Sequence, residues 1–63
     1  MEYPKIRGKR NELKLSQEDI SKQLGISLKT YCLKENGKSD FTLEEVMILL
    51  KIFDCKFEDV FLS

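Results

Sequence analysis

The sequence predicts an all-α fold of five short helices, and three observations predict it. Ser16, Ser27 and Thr42 each stand immediately before a stretch whose apolar residues recur at helical spacing. Gly25 and the pair Asn36-Gly37 stand just past two of those stretches, where a chain leaving a helix needs positive φ. No five-residue window alternates apolar and polar side chains as a half-buried strand does. At 63 residues there is room for a single domain, 1–63.

The first helix is expected over about Lys5 to Leu13. Pro4 suits a first-turn position, and Ile6, Arg10 and Leu13 fall at helical spacing. Ser16-Gln17-Glu18-Asp19 is a variant capping box, and Leu15 with Ile20 forms its hydrophobic staple, so a second helix should run from about Gln17 to Leu24. Gly25 ends it, and Ser27 caps a third helix from about Leu28 to Glu35. Thr42-Leu43-Glu44-Glu45 is a fuller capping box with Phe41 and Val46 as staple, which starts a fourth helix, Leu43 to Phe53. Phe57 to Leu62 suggests a short fifth.

Composition narrows the function. The longest unbroken apolar run, Val46 to Leu50, is far short of the roughly twenty residues that a membrane span needs. The opening residues hold no apolar segment of signal-peptide type, so a cytoplasmic location, in the bacterial cytoplasm or nucleoid, is expected. Without histidine, the chain has no His-based acid/base or nucleophile system and lacks most zinc patterns. Cys32 and Cys55 are too few and too far apart for a metal site, and no glycine loop is spaced to cradle a phosphate. Neither an enzyme nor a cofactor is expected.

Charge is balanced overall and segregated along the chain. Residues 1–38 carry a net +4 and residues 39–63 a net −4, which gives the total of zero. A chain with a pI of about 6.2 can in this way still turn one face toward a polyanion.

The second and third helices, joined by a short glycine-containing turn, form a helix-turn-helix unit over about residues 17–36, whose second helix is shaped to enter a DNA major groove. On a helical wheel Ser27, Thr30, Tyr31 and Lys34 share one side, expected to face the protein. Leu28, Lys29, Cys32, Leu33 and Asn36 share the other. Outward leucines beside a lysine suit thymine methyl groups and guanine acceptors.

The run LSQEDISKQLGIS, followed by TY, KENGK and FTLEEVMILLKIFDCKFEDVF, resembles the Cro and CI repressor type of helix-turn-helix protein, the XRE family, over about Ile6 to Phe61. The resemblance implies a compact five-helix domain of the lambda-repressor-like kind. It implies binding to operator DNA as a symmetric dimer, with a role in transcription regulation of the phage repressor type. By matching positions, Ser27, Leu28, Lys29 and Cys32, with Leu33 beside them, would contact bases. Gln17, Arg10, Asn36, Gly37 and Lys38 would contact phosphates, the last three as a loop whose backbone N–H groups and lysine grip the strand. Arg10 and Glu35 would form a structural ion pair.

Three departures carry expectations of their own. Lys34 stands where the family is often apolar, so its stem should lie on the core while its ammonium reaches water. Ser21 replaces an alanine and still permits close approach of helices. Lys56 replaces the small hydroxyl that usually caps the fifth helix. Phe57 and Val60 are expected inward, which leaves Phe61 and Leu62 as candidates for the dimer interface. The competing reading is a protein-interaction module, antitoxin-like or polymerase-binding, that docks a partner through Leu28 and Leu33 without binding DNA itself.

Overall fold

A computed structural model of the chain describes residues 3–61. These fold as five helices: α1 Pro4–Glu12, α2 Gln17–Leu24, α3 Leu28–Glu35, α4 Leu43–Phe53 and α5 Phe57–Val60. The fold is all-α, and α2, α3 and α4 have the bounds that their caps predict. Ser16 Oγ accepts from the Asp19 N–H at 3.0 Å while the Asp19 carboxylate accepts from the Ser16 N–H at 2.9 Å. Thr42 and Glu45 repeat the exchange at the start of α4.

The first helix sits one residue earlier than its spacing suggests, because Pro4 opens it and Tyr3 offers no side-chain cap to mark the start. At α5 the Lys56 N–H donates to Asp59 at 3.0 Å, so the cap comes from the acid inside the helix. The expected end of α5 at Leu62 lies outside the described residues, as does Leu62 as an interface candidate.

The first four helices stop in the same way. In each, one residue takes a left-handed conformation, and two successive N–H groups return to carbonyls of the last turn, a Schellman arrangement. The left-handed residues are Lys14, Gly25, Gly37 and Asp54, at φ 59°, 73°, 80° and 51°. After α1, Lys14 and Leu15 donate to Asn11 and Arg10, and after α4, Asp54 and Cys55 donate to Lys51 and Leu50. Glycine accepts such a φ without penalty, whereas a side chain costs roughly 1–2 kcal/mol there.

Ile6, Ile20, Tyr31, Leu49, Phe53 and Val60 form the core, with Leu15, Leu24, Ile26 and Phe41 packed against it. Leu13 does not join them. The helix ends before it, the chain turns at Lys14, and Leu15 takes the inward place. The C-terminal aromatics also differ from expectation. Phe61 is half-buried, edge-on to Tyr3 at 5.7 Å and to Phe41 at 6.1 Å, whereas Phe57 stacks on the outer side of Phe61 at 5.0 Å and is exposed. With a single turn, α5 can bury Val60 and Phe61, which are adjacent, and Phe57 is left outside. No described helix is long and apolar enough to cross a membrane.

Candidate nucleic-acid interface

Only Gly25, Ile26 and Ser27 separate α2 from α3, and these two helices pack on each other more extensively than any other pair. Gly25 makes the turn possible: its own N–H and that of Ile26 return to Lys22 and Ser21, and its left-handed φ reverses the chain. Ser21 is buried, donates to the Glu18 carbonyl at 2.8 Å, and so keeps its hydroxyl satisfied. Ser27 then caps α3, accepting from the Thr30 N–H at 3.1 Å and donating to Thr30 Oγ1 at 2.8 Å. The helical wheel placed Ser27 inward, but it is exposed: a residue at the cap has left the helical path that the wheel assumes.

The inner side of α3 is held by two buried carboxylates. Glu35 is fully buried at the end of α3 and gathers donors from three helices. Arg10 of α1 donates through Nε to Oε2 and through Nη2 to Oε1, both at 3.1 Å. Gln17 of α2 donates to Oε1 at 3.3 Å, Tyr31 donates its hydroxyl to Oε2, and Arg7 Nε stands 3.4 Å from Oε1. Burial by itself pushes this carboxyl up, but the bonds from Arg10, Tyr31 and Gln17 outweigh burial and hold it below the usual carboxylate range. The same pairing pushes the Arg10 guanidinium up. Burial, followed by the bond to Glu35, pushes the Tyr31 phenol far up, so it remains a donor.

The second carboxylate is Glu45. Its Oε1 accepts from Lys34 Nζ at 2.5 Å and from the Thr42 N–H at 2.9 Å, so the capping box of α4 is also an anchor for α3. The expectation that the Lys34 ammonium reaches water is thereby corrected. A buried acid lies closer than the solvent does, and both side chains are only about one-tenth exposed. Burial pushes Glu45 up, but Lys34 and Thr42 outweigh it, and the group lies below its ordinary value.

The outer side of α3 carries none of these duties. Leu28 and Leu33 are exposed at 45% and 43%, Lys29 is exposed between them, and Cys32 is half-buried with its thiol donating to Gln17 Oε1 at 3.2 Å. Gln17 therefore reaches from the first turn of α2 to both Glu35 and Cys32, with its amide fixed at both ends. Cys32 and Cys55 are free thiols.

Two sets of donors expected to meet phosphate make bonds within the fold near the end of α3. The N–H groups of Asn36, Gly37 and Lys38 turn back to the carbonyls of Cys32, Lys34 and Leu33, at 3.1, 3.1 and 2.8 Å. They close the helix, and the loop offers side chains, Asn36 and Lys38, where backbone donors were expected. Arg10 is the other case: its side chain is 11% exposed, and besides the two bonds to Glu35 its Nη1 donates to the Leu15 carbonyl at 3.1 Å. Its donors are directed inward. The exposed cation at this place is Arg7, which sequence spacing did not single out, since only the crossing of α1 over the end of α3 brings it there.

A family model described as helix-turn-helix matches residues 6–60. An uncharacterised HTH-type transcriptional regulator of Methanocaldococcus jannaschii is 42% identical over 48 residues, covering 76% of this chain and 73% of the relative. A second, also described as an uncharacterised HTH-type transcriptional regulator, from Archaeoglobus fulgidus, is 28% identical over 58 residues, or 92% of this chain and 82% of the relative. No solved structure matches the chain significantly.

Proposed function

The chain belongs to the helix-turn-helix family, of the XRE type, and from that premise we propose that it is a transcriptional regulator that reads double-stranded DNA through α3 in the major groove. One observation carries this reading: α3 is anchored along one side by Glu35 and Glu45 and leaves Leu28, Lys29 and Leu33 exposed along the other. A rigidly held helix with apolar tips around a cation suits base edges, with the leucines against thymine methyl groups and Lys29 on guanine O6 or N7. Ser27 and Cys32 flank that surface. Lys38 and Asn36 serve the phosphates, Gln17 does so through the amide hydrogen it does not give to Glu35, and Arg10 holds Glu35 and with it the end of α3 in place. The description of both relatives as HTH-type transcriptional regulators supports the assignment.

The reading includes a repressor of phage or prophage type that binds a pseudo-palindromic operator as a dimer. Size supports the dimer. The longest dimension of one copy is 25 Å, while successive major-groove faces on one side of a duplex lie about 34 Å apart. One copy covers one half-site, and two copies related by a two-fold axis cover an inverted repeat.

Selection from a random pool of duplexes at moderate salt tests the reading. Enrichment of an inverted repeat with half-sites one turn apart is the expected result. A second reading, docking of a protein partner on Leu28 and Leu33, draws on their exposure and on the zero net charge. Salt separates the two: binding to DNA weakens with a log–log slope of about −0.9 per phosphate contact, and apolar docking barely responds. A folded protein that enriches no sequence would move the docking reading to first place.

A further inference from the structure

Two cations, Arg7 and Arg10, share the single charge of Glu35, so the cluster keeps one positive charge in excess. Arg10 and Glu35 are nearly or fully buried, whereas the Arg7 side chain is 49% exposed, and the excess charge faces water there. Arg7 is also held in orientation. Its Nε stands 3.4 Å from Glu35 Oε1, and its Nη2 donates to Asn36 Oδ1 at 2.7 Å. Of the five N–H groups on a guanidinium, these contacts use two. The other three, including both on Nη1, have no acceptor among the described residues.

The bond to Asn36 fixes the asparagine as well. An arginine can only donate, so the amide oxygen must face Arg7 and the Nδ2 group must face away from it, with two donors of its own. Asn36 is exposed and immediately follows α3, and Lys38 is exposed two residues further on. Charge, a planar fork and an oriented amide thus come together at one end of the exposed side of α3, which is the combination that a phosphodiester oxygen pair accepts.

We propose that Arg7 and Asn36 form a preorganised phosphate clamp at the C-terminal end of α3, in which the arginine both binds the phosphate and orients the amide. The clamp rests on the DNA-binding reading, so the unaltered protein is first titrated, over a range of KCl, with its selected duplex and with a scrambled duplex of equal length. Binding to neither removes the reading and the clamp together.

Where the protein binds, Arg7→Ala weakens both duplexes by about tenfold and makes the salt slope shallower by about 0.9. Arg7→Lys keeps the slope, since the charge remains, but loses several-fold in affinity with the fork. Asn36→Ala costs several-fold in the unaltered background and nothing further in Arg7→Ala, because the amide is then unoriented. A purely structural Arg7 would lower the melting temperature of the free protein and leave the salt slope unchanged. That result, or effects of the two substitutions that simply multiply, overturns the clamp. Should Arg7→Ala fail to fold, Arg7→Gln, which removes the charge and the fork while keeping most of the stem, is measured alone and with Asn36→Ala for the same slope and the same coupling.

Discussion

Arg10 on α1 and Glu35 on α3 meet edge to edge through two parallel hydrogen bonds of 3.1 Å, with the carboxylate wholly out of water. The pair has little solvent screening, and removing one partner strands the other. Glu35→Gln should therefore cost about 3–5 kcal/mol, since Arg10 and Arg7 would face a neutral amide. For 63 residues that is comparable with the whole stability, roughly 3–9 kcal/mol at typical values per residue. Urea unfolding followed by circular dichroism measures it, and a loss below 1 kcal/mol would mean that the cluster relaxes into water.

Acid should unfold the protein through the same groups. Glu35 and Glu45 both lie below the ordinary value of 4.5 in the folded state. A depressed carboxylate contributes stability that is fully present above 4.5 and is lost as the pH falls toward its folded value. Stability should thus be level near neutrality and fall below about pH 4.5, by up to about 1.4 kcal/mol per pH unit for each proton taken up. Denaturant midpoints between pH 3 and 7 trace the curve, and Glu45→Gln should make its acid limb shallower.

Lys14→Gly should stabilise the domain. Lys14 is exposed and holds φ 59° after α1, where glycine would remove a penalty of roughly 1 kcal/mol, partly offset by the greater freedom of glycine in the unfolded chain. A rise in melting temperature of a few degrees is expected, and about 4–8 °C corresponds to a full 1 kcal/mol in a domain of this size. A fall in calorimetry would show that the lysine side chain contributes more than its backbone strain costs.

Lys29 and Lys38 should separate reading from holding. Lys29→Ala is expected to relax base preference and to cost roughly 1–3 kcal/mol on the best duplex. Lys38→Ala should weaken all duplexes about equally and reduce the salt dependence by one phosphate contact. Competition binding on selected and mutated sites distinguishes them, and uniform losses from both would move the reading surface away from Lys29.

The helices were legible because their boundaries are local chemistry. Ser16 with Asp19, Ser27 with Thr30, and Thr42 with Glu45 each act within a few residues, and the three helices they open have the expected bounds. What depended on how helices cross was not legible. Lys34 meets Glu45 from eleven residues away, Arg7 meets Asn36 across twenty-nine, and no spacing rule links such pairs. The left-handed Lys14 and Asp54 escaped notice because neither is a glycine, and the exchange of Phe57 for Phe61 on the inner side follows from the brevity of α5. Of the candidate surface, the exposed leucines and Lys29 could be read from the wheel, but the inward turn of the Gly37 and Lys38 N–H groups could not.

The two sides of α3 answer to different demands. Tyr31, Lys34 and Glu35 are tied to α1, α2 and α4, so a change at any of them disturbs the architecture. Leu28, Lys29 and Leu33 are exposed, and their side chains make no hydrogen bond or ion pair among the described residues; surface substitutions of that kind usually alter stability by less than about 0.5 kcal/mol. Mutation can therefore rewrite the outer side one residue at a time, with each intermediate still folded, and a lineage built on this scaffold can acquire a new target without first acquiring a new fold.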